Sequence, residues 1–241
     1  MNTRPFNGER YIKFKNESFM FLNDDNPQAA YDTTDLTFVA QPLSYNNQKY
    51  NVVVVPLIMT DMWNIINDHP GFVESLRNTE KKYDFCFIGG CKHAGRAVFR
   101  ELSIEKYLFR ETTDSIYYIP PDEQDKKHKT IMDFLHELSM CKFVFAPRGT
   151  GSSSFRLYEA MSVGSVPIIT GQPEMPFSSS VDWNEMSISG NLKDINKLVS
   201  DAQHMSEDNY HEMRSNTMSF WDDYCRHDQL YNKLEQQYDN I

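Results

Sequence analysis

Two apolar patterns alternate along the second half of this chain. Short continuous apolar runs are typical of strands that are buried on both faces. Between them, apolar residues recur at helical spacing. Strands are predicted at Asp84–Ile88, Ser115–Ile119, Lys142–Ala146 and Val166–Thr170, and helices at Gly95–Leu108, Thr130–Met140 and in the segment that ends at Val163. This order indicates βαβ units in a parallel, doubly wound α/β sheet.

The rest of the chain gives weaker patterns. The first third predicts short strands at Phe19–Leu22, Leu36–Val39 and Asn51–Pro56, and Pro120–Lys129 is a predicted surface loop. Aromatic and apolar residues among charges in Ser206–Tyr238 predict an amphipathic helix, in one or two pieces, that packs back on the body. Its mixed, acidic polar face does not favour a membrane surface.

Composition excludes several classes of protein. The formal net charge of −10 is unlike that of a nucleic-acid binder, which normally carries a basic face. No apolar segment is long enough for a membrane span, and the first residues lack an apolar signal core, so we expect a soluble, cytoplasmic location. The four cysteines form no CxxC pair; we expect reduced thiols and no metal site.

Ligands of doubly wound sheets bind beyond the carboxyl ends of the strands, which here lie after Ile88, Ala146 and Thr170. After one of these ends, Pro147 stops the strand and Arg148 opens a small-residue loop that leads into a helix. Glycine allows close backbone approach, Ser152 or Ser153 can cap the helix, and the helix N-terminus favours an anion. The loop residues are Gly149, Thr150, Gly151, Ser152, Ser153 and Ser154.

Arg156 and Glu159 lie three residues apart in that helix, away from the apolar stripe of Leu157, Ala160 and Met161. A cation for the diphosphate and a carboxylate for the ribose hydroxyls suit a nucleoside diphosphate. The alternative is an ordinary surface ion pair. The loop lacks both the GxxxxGK[ST] and the GxGxxG patterns, which disfavours a P-loop NTPase and a Rossmann oxidoreductase.

Separated motifs in this region resemble the exostosin-like glycosyltransferases. They follow one another in the family's order across about residues 84–201. They are a strand, Pro147-Arg148-Gly149, the small-residue stretch, Ser154-Phe155-Arg156, Glu159-Ala160, Gly164-Ser165-Val166-Pro167, Met175-Pro176-Phe177 and Asp182-Trp183. Upstream, the strand that ends in Gly89-Gly90, followed by Arg96 and Arg100, is also similar.

The resemblance implies an inverting transferase of the GT-B fold, with two Rossmann-like halves facing a cleft. The N-terminal half, residues 1–78, would be reduced, residues 79–205 would hold the nucleotide sugar, and the helix at 206–241 would pack back. A sugar would pass from a UDP-sugar to a hydroxyl of a glycan or glycoprotein acceptor. The expected donor-binding residues are Gly90, Arg96, Glu174, Arg148 with its loop to Ser154, Arg156 and Glu159.

No Asp-x-Asp triplet occurs in the chain, so we expect transfer without a divalent metal or other cofactor, with arginines stabilising the leaving UDP. The expected catalytic base is Asp24 or Asp25, after the predicted strand Phe19–Leu22, with His93 and Asp61 as fallbacks. The alternative function is a non-catalytic sugar- or nucleotide-binding module of the same fold.

Overall fold

A computed structural model describes most of the chain. The described residues are 11–14, 17–22, 36–39, 52–57, 59–92, 95–112, 123–149, 153–171, 175–226, 229–230 and 232–233, the earliest of them by their backbone. Asp24, Asp25, His93, Thr150, Gly151, Ser152, Glu174 and the predicted strand Ser115–Ile119 lie outside these residues.

A parallel sheet of five described strands organises the second half of the chain, in the order β6-β5-β7-β8-β9. The α/β class predicted from the sequence is therefore confirmed. Its strands are β5 (Tyr83–Gly89), β6 (Tyr107–Glu111), β7 (Cys141–Pro147), β8 (Val166–Thr170) and β9 (Ile188–Gly190).

Six α-helices are described. They are α1 (Thr60–Asp68), α2 (Phe72–Arg77), α3 (Gln124–Ser139), α4 (Phe155–Ser162), α5 (Ile195–Gln203) and α6 (Glu207–Phe220). A π-helical turn, Trp221–Cys225, continues α6, which packs against α4. The predicted C-terminal helix is thus confirmed over its described part.

Four further described strands form a second sheet in the order β1-β2-β3-β4. β1 pairs with β2 antiparallel, whereas β2, β3 and β4 are parallel. The strands are β1 (Tyr11–Phe14), β2 (Glu17–Leu22), β3 (Leu36–Val39) and β4 (Val52–Val54). The three predicted N-terminal strands are confirmed, and β1 is an addition. The division at residues 78 and 79 stays a prediction.

Successive side chains of β5 and β7 point to opposite faces of the sheet, and they form two separate core clusters. Cys86, Ile88, Val144 and Ala146 pack with the side chains of α1 to α4. The four phenylalanines on the other face, Phe85, Phe87, Phe143 and Phe145, pack with Phe99 and α5. The described cysteines, Cys86, Cys91, Cys141 and Cys225, are free and buried, as expected.

Two predicted segments were wrong. Instead of a helix over Gly95–Leu108 there is a short 3₁₀ helix, Arg96–Arg100, and then β6 from Tyr107. The apolar residues of this segment mimic helical spacing, but Phe99 is buried against Phe87 and Phe145. The predicted loop Pro120–Lys129 is helical from Gln124, because its charges form the solvent face of the first turns of α3.

Candidate functional site

The strand order creates a switch point at the carboxyl edge of the five-stranded sheet. β6 lies on one side of β5 and β7 on the other, so the connections leave β5 and β7 in opposite directions. The pairs that join these strands run from Tyr83↔Cys141 to Cys86↔Val144, whereas the strands continue to Gly89 and Pro147. A switch point of this kind is the usual ligand site of an open α/β sheet.

Arg96 spans this switch point. Its Nη2 donates to the carbonyl oxygens of Pro147 (3.2 Å) and Arg148 (2.6 Å), and its Nη1 donates to that of Gly90 (3.4 Å). The guanidinium thus connects the residues that follow β5 and β7. Its Nε is buried and has no hydrogen-bond partner within the described part of the chain.

Arg148 has a fixed backbone and an exposed side chain. Its amide donates to the carbonyl oxygen of Thr170, at the end of β8 (3.0 Å), while its own carbonyl accepts from Arg96. The aliphatic stem runs beside Gly171, where an added Cβ would lie 3.5 Å from the Arg148 Cδ. The sheet therefore holds this residue while its guanidinium is accessible to a ligand.

The connection from β7 to α4 is tight where it is described. The Gly149 amide donates to the Ser153 carbonyl oxygen (2.9 Å), and a Cβ at Gly149 would lie 3.3 Å from that oxygen. Ser154 is the N-cap residue of α4, but its side chain makes no capping bond. The prediction that Ser152 or Ser153 occupies the N-cap position is therefore wrong, because Ser154 does.

Arg156 lies in the first turn of α4, between Phe134 and Glu159. Its guanidinium carbon is 4.1 Å from the centre of the Phe134 ring, and its Nε is 3.2 Å from Glu159 Oε2. Its side chain is 19% exposed, whereas that of Glu159 is 1% exposed. The expectation that both charges lie away from the core was thus wrong for Glu159, which is buried with the apolar residues of α4.

Positive charge accumulates at this edge. Burial, and next the charge of Arg156, lower the pKa of Arg96 from its usual value, so these two cations are close enough to repel each other. Arg156 Nη1 is buried without a hydrogen-bond partner among the described residues, whereas its Nε lies beside the Glu159 carboxylate. Buried donors that lack an acceptor are costly, so this arrangement suits an oxyanion such as a diphosphate.

Other residues singled out by the sequence have structural partners. Arg100 pairs with Glu111, and Asp61 pairs with Lys127 at 2.8 Å. Trp183 is buried; its Nε1 donates to the Pro176 carbonyl oxygen (2.8 Å) and its ring packs on Phe220. These side chains contribute packing and ion pairs that hold elements together.

Two residues at the site were not anticipated from the sequence. Thr170 ends β8, and its buried Oγ1 has no hydrogen-bond partner in the described part of the structure; a polar residue that ends a buried strand is the signal that could have identified it. Phe134 lies within the predicted helix Thr130–Met140, whose apolar spacing indicates only that its side chain is part of the core. Its contact with Arg156 depends on how α3 packs on α4, which periodicity does not reveal.

Two kinds of feature are absent from the described residues. These residues contain no group of three or more His, Cys, Asp or Glu side chains that could hold a metal ion. They also contain no helix with the length and apolar character that crossing a membrane requires.

The sequence match that decides the family covers residues 43–205, which correspond to the Exostosin GT47 domain. This chain belongs to the Exostosin GT47 family. The match includes β4 to β9 together with Arg96, Arg148, Arg156 and Glu159. The family resemblance noted in the sequence is therefore confirmed.

Individual relatives share a shorter segment. Exostosin-1b of Danio rerio is 27% identical over 103 residues, which are 42% of this chain and 14% of that protein. Exostosin-1 of Bos taurus is 26% identical over 103 residues, again 42% of this chain and 14% of the relative. The chain thus matches about a seventh of the length of these curated relatives.

Two solved structures show a more distant likeness. HepE of Anabaena, in complex with UDP and glucose, has a TM-score of 0.49 and 11% identity, covering 92% of this chain and 71% of that one. A mutant of S. aureus TarM, in complex with Fondaparinux, alpha-GlcNAc-glycerol and UDP, has a TM-score of 0.48 and 12% identity, covering 85% and 44%.

Proposed function

We propose that this chain is a glycosyltransferase that transfers a sugar from a UDP-sugar to a hydroxyl group of a glycan acceptor. The observation that carries the proposal is the set of arginines at the switch point. Arg96 Nε and Arg156 Nη1 are buried N–H groups without an acceptor among the residues that the structure describes, and Arg148 lies at the same sheet edge. Membership of the Exostosin GT47 family supports a nucleotide-sugar donor as the anion.

The donor would bind across the carboxyl ends of β7 and β8. Arg148 and Arg156 would bind the diphosphate, since a guanidinium can donate two parallel hydrogen bonds to phosphate oxygens. Glu159 is buried against Arg156, so its ion pair supports a role in orienting that guanidinium. A contact from Glu159 to the ribose hydroxyls is the further role that we propose.

The leaving UDP would be stabilised by these cations and by the N-terminus of α4, without a divalent metal. We propose a single displacement with inversion in a cleft of the GT-B type. Activity should then survive chelation by EDTA. Complete loss of activity on chelation, restored by manganese, would contradict this part of the proposal.

The catalytic base would remove the proton of the acceptor hydroxyl. We propose Asp24 or Asp25, with His93 as the next candidate; all three lie outside the described residues. Asp61, the other fallback, is less suited because its carboxylate pairs with Lys127. Replacing the true base with alanine should lower kcat by roughly 100-fold or more while UDP affinity is kept. If both aspartates can be replaced without effect, the base is elsewhere.

UDP binding measured by calorimetry tests the proposal most directly. Arg156→Ala should weaken binding by about 1.5–3 kcal/mol, the scale of a lost charged hydrogen bond, and Arg148→Ala should also weaken it. Arg110→Ala is the matched control, because this exposed arginine pairs with Glu137 and is not part of the arginine set at the switch point. Unchanged UDP affinity in both site variants would overturn the assignment.

Slow release of UDP from a UDP-sugar separates an enzyme from a non-catalytic module. A working transferase hydrolyses its own donor slowly, whereas a binding module releases no UDP. A panel of UDP-xylose, UDP-galactose, UDP-glucuronic acid and UDP-N-acetylglucosamine would also identify the donor sugar.

A further inference from the structure

Phe134 lies on the buried side of α3, where that helix packs against α4. Its side chain is buried, and the guanidinium of Arg156 covers the ring at 4.1 Å from the ring centre. A cation at this distance from an aromatic face is attracted by the ring quadrupole, and the attraction is stronger where water is excluded.

The geometry of this contact leaves the hydrogen-bond donors of Arg156 available. The ring contacts the guanidinium carbon and offers no lone pair, so this contact supplies no hydrogen-bond acceptor to the guanidinium N–H groups. Nε lies 3.2 Å from a Glu159 oxygen, and Nη1 is buried without a hydrogen-bond partner among the described residues. The ring thus restrains the guanidinium by its contact with the central carbon, while the carboxylate restrains it at Nε.

We propose that Phe134 is a positioning residue that holds the Arg156 guanidinium ready for the donor diphosphate; this inference rests on the proposed function. A free arginine side chain loses rotamer freedom when it binds a ligand, which weakens binding. The stack on Phe134 restricts those rotamers before the ligand arrives. Phe134 therefore acts on the donor through Arg156 and not by its own contact.

Changing the ring electronics without changing its shape tests this role. Replacement of Phe134 by a multiply fluorinated phenylalanine weakens the ring quadrupole but keeps the packing nearly intact. We expect UDP to bind about 3-fold or more weakly, and Phe134→Leu to weaken binding by about 3- to 30-fold, with the fold monitored by circular dichroism.

Phe143→Leu is the matched control, since Phe143 is an equally buried ring that packs with Phe85 and Tyr210 on the opposite face of the sheet. This variant should keep wild-type UDP affinity although its stability falls. A Phe134 that is only part of the core would instead tolerate fluorination without loss of affinity, and that result would overturn the inference.

A measurement without UDP separates this inference from the proposed function. In the free protein, the δ protons of Arg156 should show an upfield NMR shift from the ring current of Phe134, and Phe134→Leu should abolish that shift. A normal shift in the wild type would overturn the stack itself. An upfield shift in a protein that binds no UDP would overturn the proposed function, and with it the role of the stack in donor binding.

Discussion

Arg96 and Arg100 are neighbours on one short 3₁₀ helix, yet they have different surroundings. Of the two, only Arg96 was an expected donor-binding residue. Arg96 donates to carbonyl oxygens after β5 and β7, whereas Arg100 forms an exposed pair with Glu111. Arg96 therefore has a structural function in the free protein, and its buried Nε has no hydrogen-bond partner among the described residues.

Removing the Arg96 guanidinium should loosen the edge of the sheet. Arg96→Gln loses charged hydrogen bonds to Pro147 and Arg148, so we expect the free energy of unfolding to fall by about 1–3 kcal/mol. Urea unfolding measures this change. Arg100→Gln is the control and should have a much smaller effect, because its ion pair is exposed. Equal effects of the two substitutions would show that the contacts of Arg96 contribute little.

Local motifs could identify Arg148, Arg156 and Glu159 because the residue types and spacings that bind phosphate are short-range properties of a chain. The environment of the same residues could not be identified in this way. The ring that contacts Arg156 belongs to α3, more than twenty positions earlier, and the burial of Glu159 appears only in the folded chain. Contacts between elements depend on packing angles that periodicity alone does not determine.

At the scale of elements, the buried strands and the helices α3 and α4 were predicted from the sequence, whereas two connecting segments were not. Val166–Thr170 matches β8, and Lys142–Ala146 differs from β7 by one residue at each end. Short continuous runs of β-branched and aromatic residues are typical of strands that are buried on both faces of a sheet. The segment from Gly95 failed because Gly95 has a positive φ of 73° and the following turn is 3₁₀, so Phe99 enters the aromatic cluster and no regular helix continues.

The N-terminus of α6 allows a test at the same scale. Ser206 Oγ accepts a hydrogen bond from the Asn209 amide (3.2 Å), which satisfies one of the free donors of the first turn. Ser206→Ala should lower the free energy of unfolding by about 0.5–2 kcal/mol, measured by thermal or urea unfolding. Ser215→Ala, an exposed position within the same helix, should be neutral or slightly stabilising. A loss as large at Ser215 would rule out the cap as the cause.

At the scale of the whole molecule, basic side chains join helix C-termini that are far apart in sequence. Lys81 Nζ donates to the Ser139 carbonyl oxygen at the end of α3 (2.8 Å), and Arg77 Nε donates to that of Ser162 at the end of α4 (2.9 Å). Arg214 of α6 donates to the carbonyl oxygens of Gly164 and Arg77. Basic groups at these ends interact favourably with the negative ends of the helix dipoles. The bonds of Arg214 also attach α6, which lies beyond the family match, to the sheet domain.

The buried charge of Lys81 destabilises the folded chain, and this effect depends on pH. Burial, and next the charge of Arg214, lower the pKa of Lys81 to about 7 from 10.5. Below pH 7 the amine is protonated in both the folded and the unfolded chain, so the full cost of the buried charge is present. Between pH 7 and 10.5 the unfolded chain binds a proton that the folded chain does not, so stability rises with pH. The neutral amine keeps two N–H donors for Ser139 and Ser165.

Lys81→Met should therefore remove a rise in stability that the wild type shows between about pH 7 and 9.5, a difference of roughly 1–3 kcal/mol over that window. Urea unfolding of both proteins at several pH values measures it; taking the difference cancels other groups that titrate in the same range. Lys82→Met is the control, because Lys82 is exposed beside Lys81 and should leave the wild-type pH dependence intact. A wild-type and a Lys81→Met protein whose stabilities run parallel from pH 6.5 to about 9.5 would show that Lys81 keeps its proton in the folded chain, and that its charge is accommodated by the helix carbonyls around it.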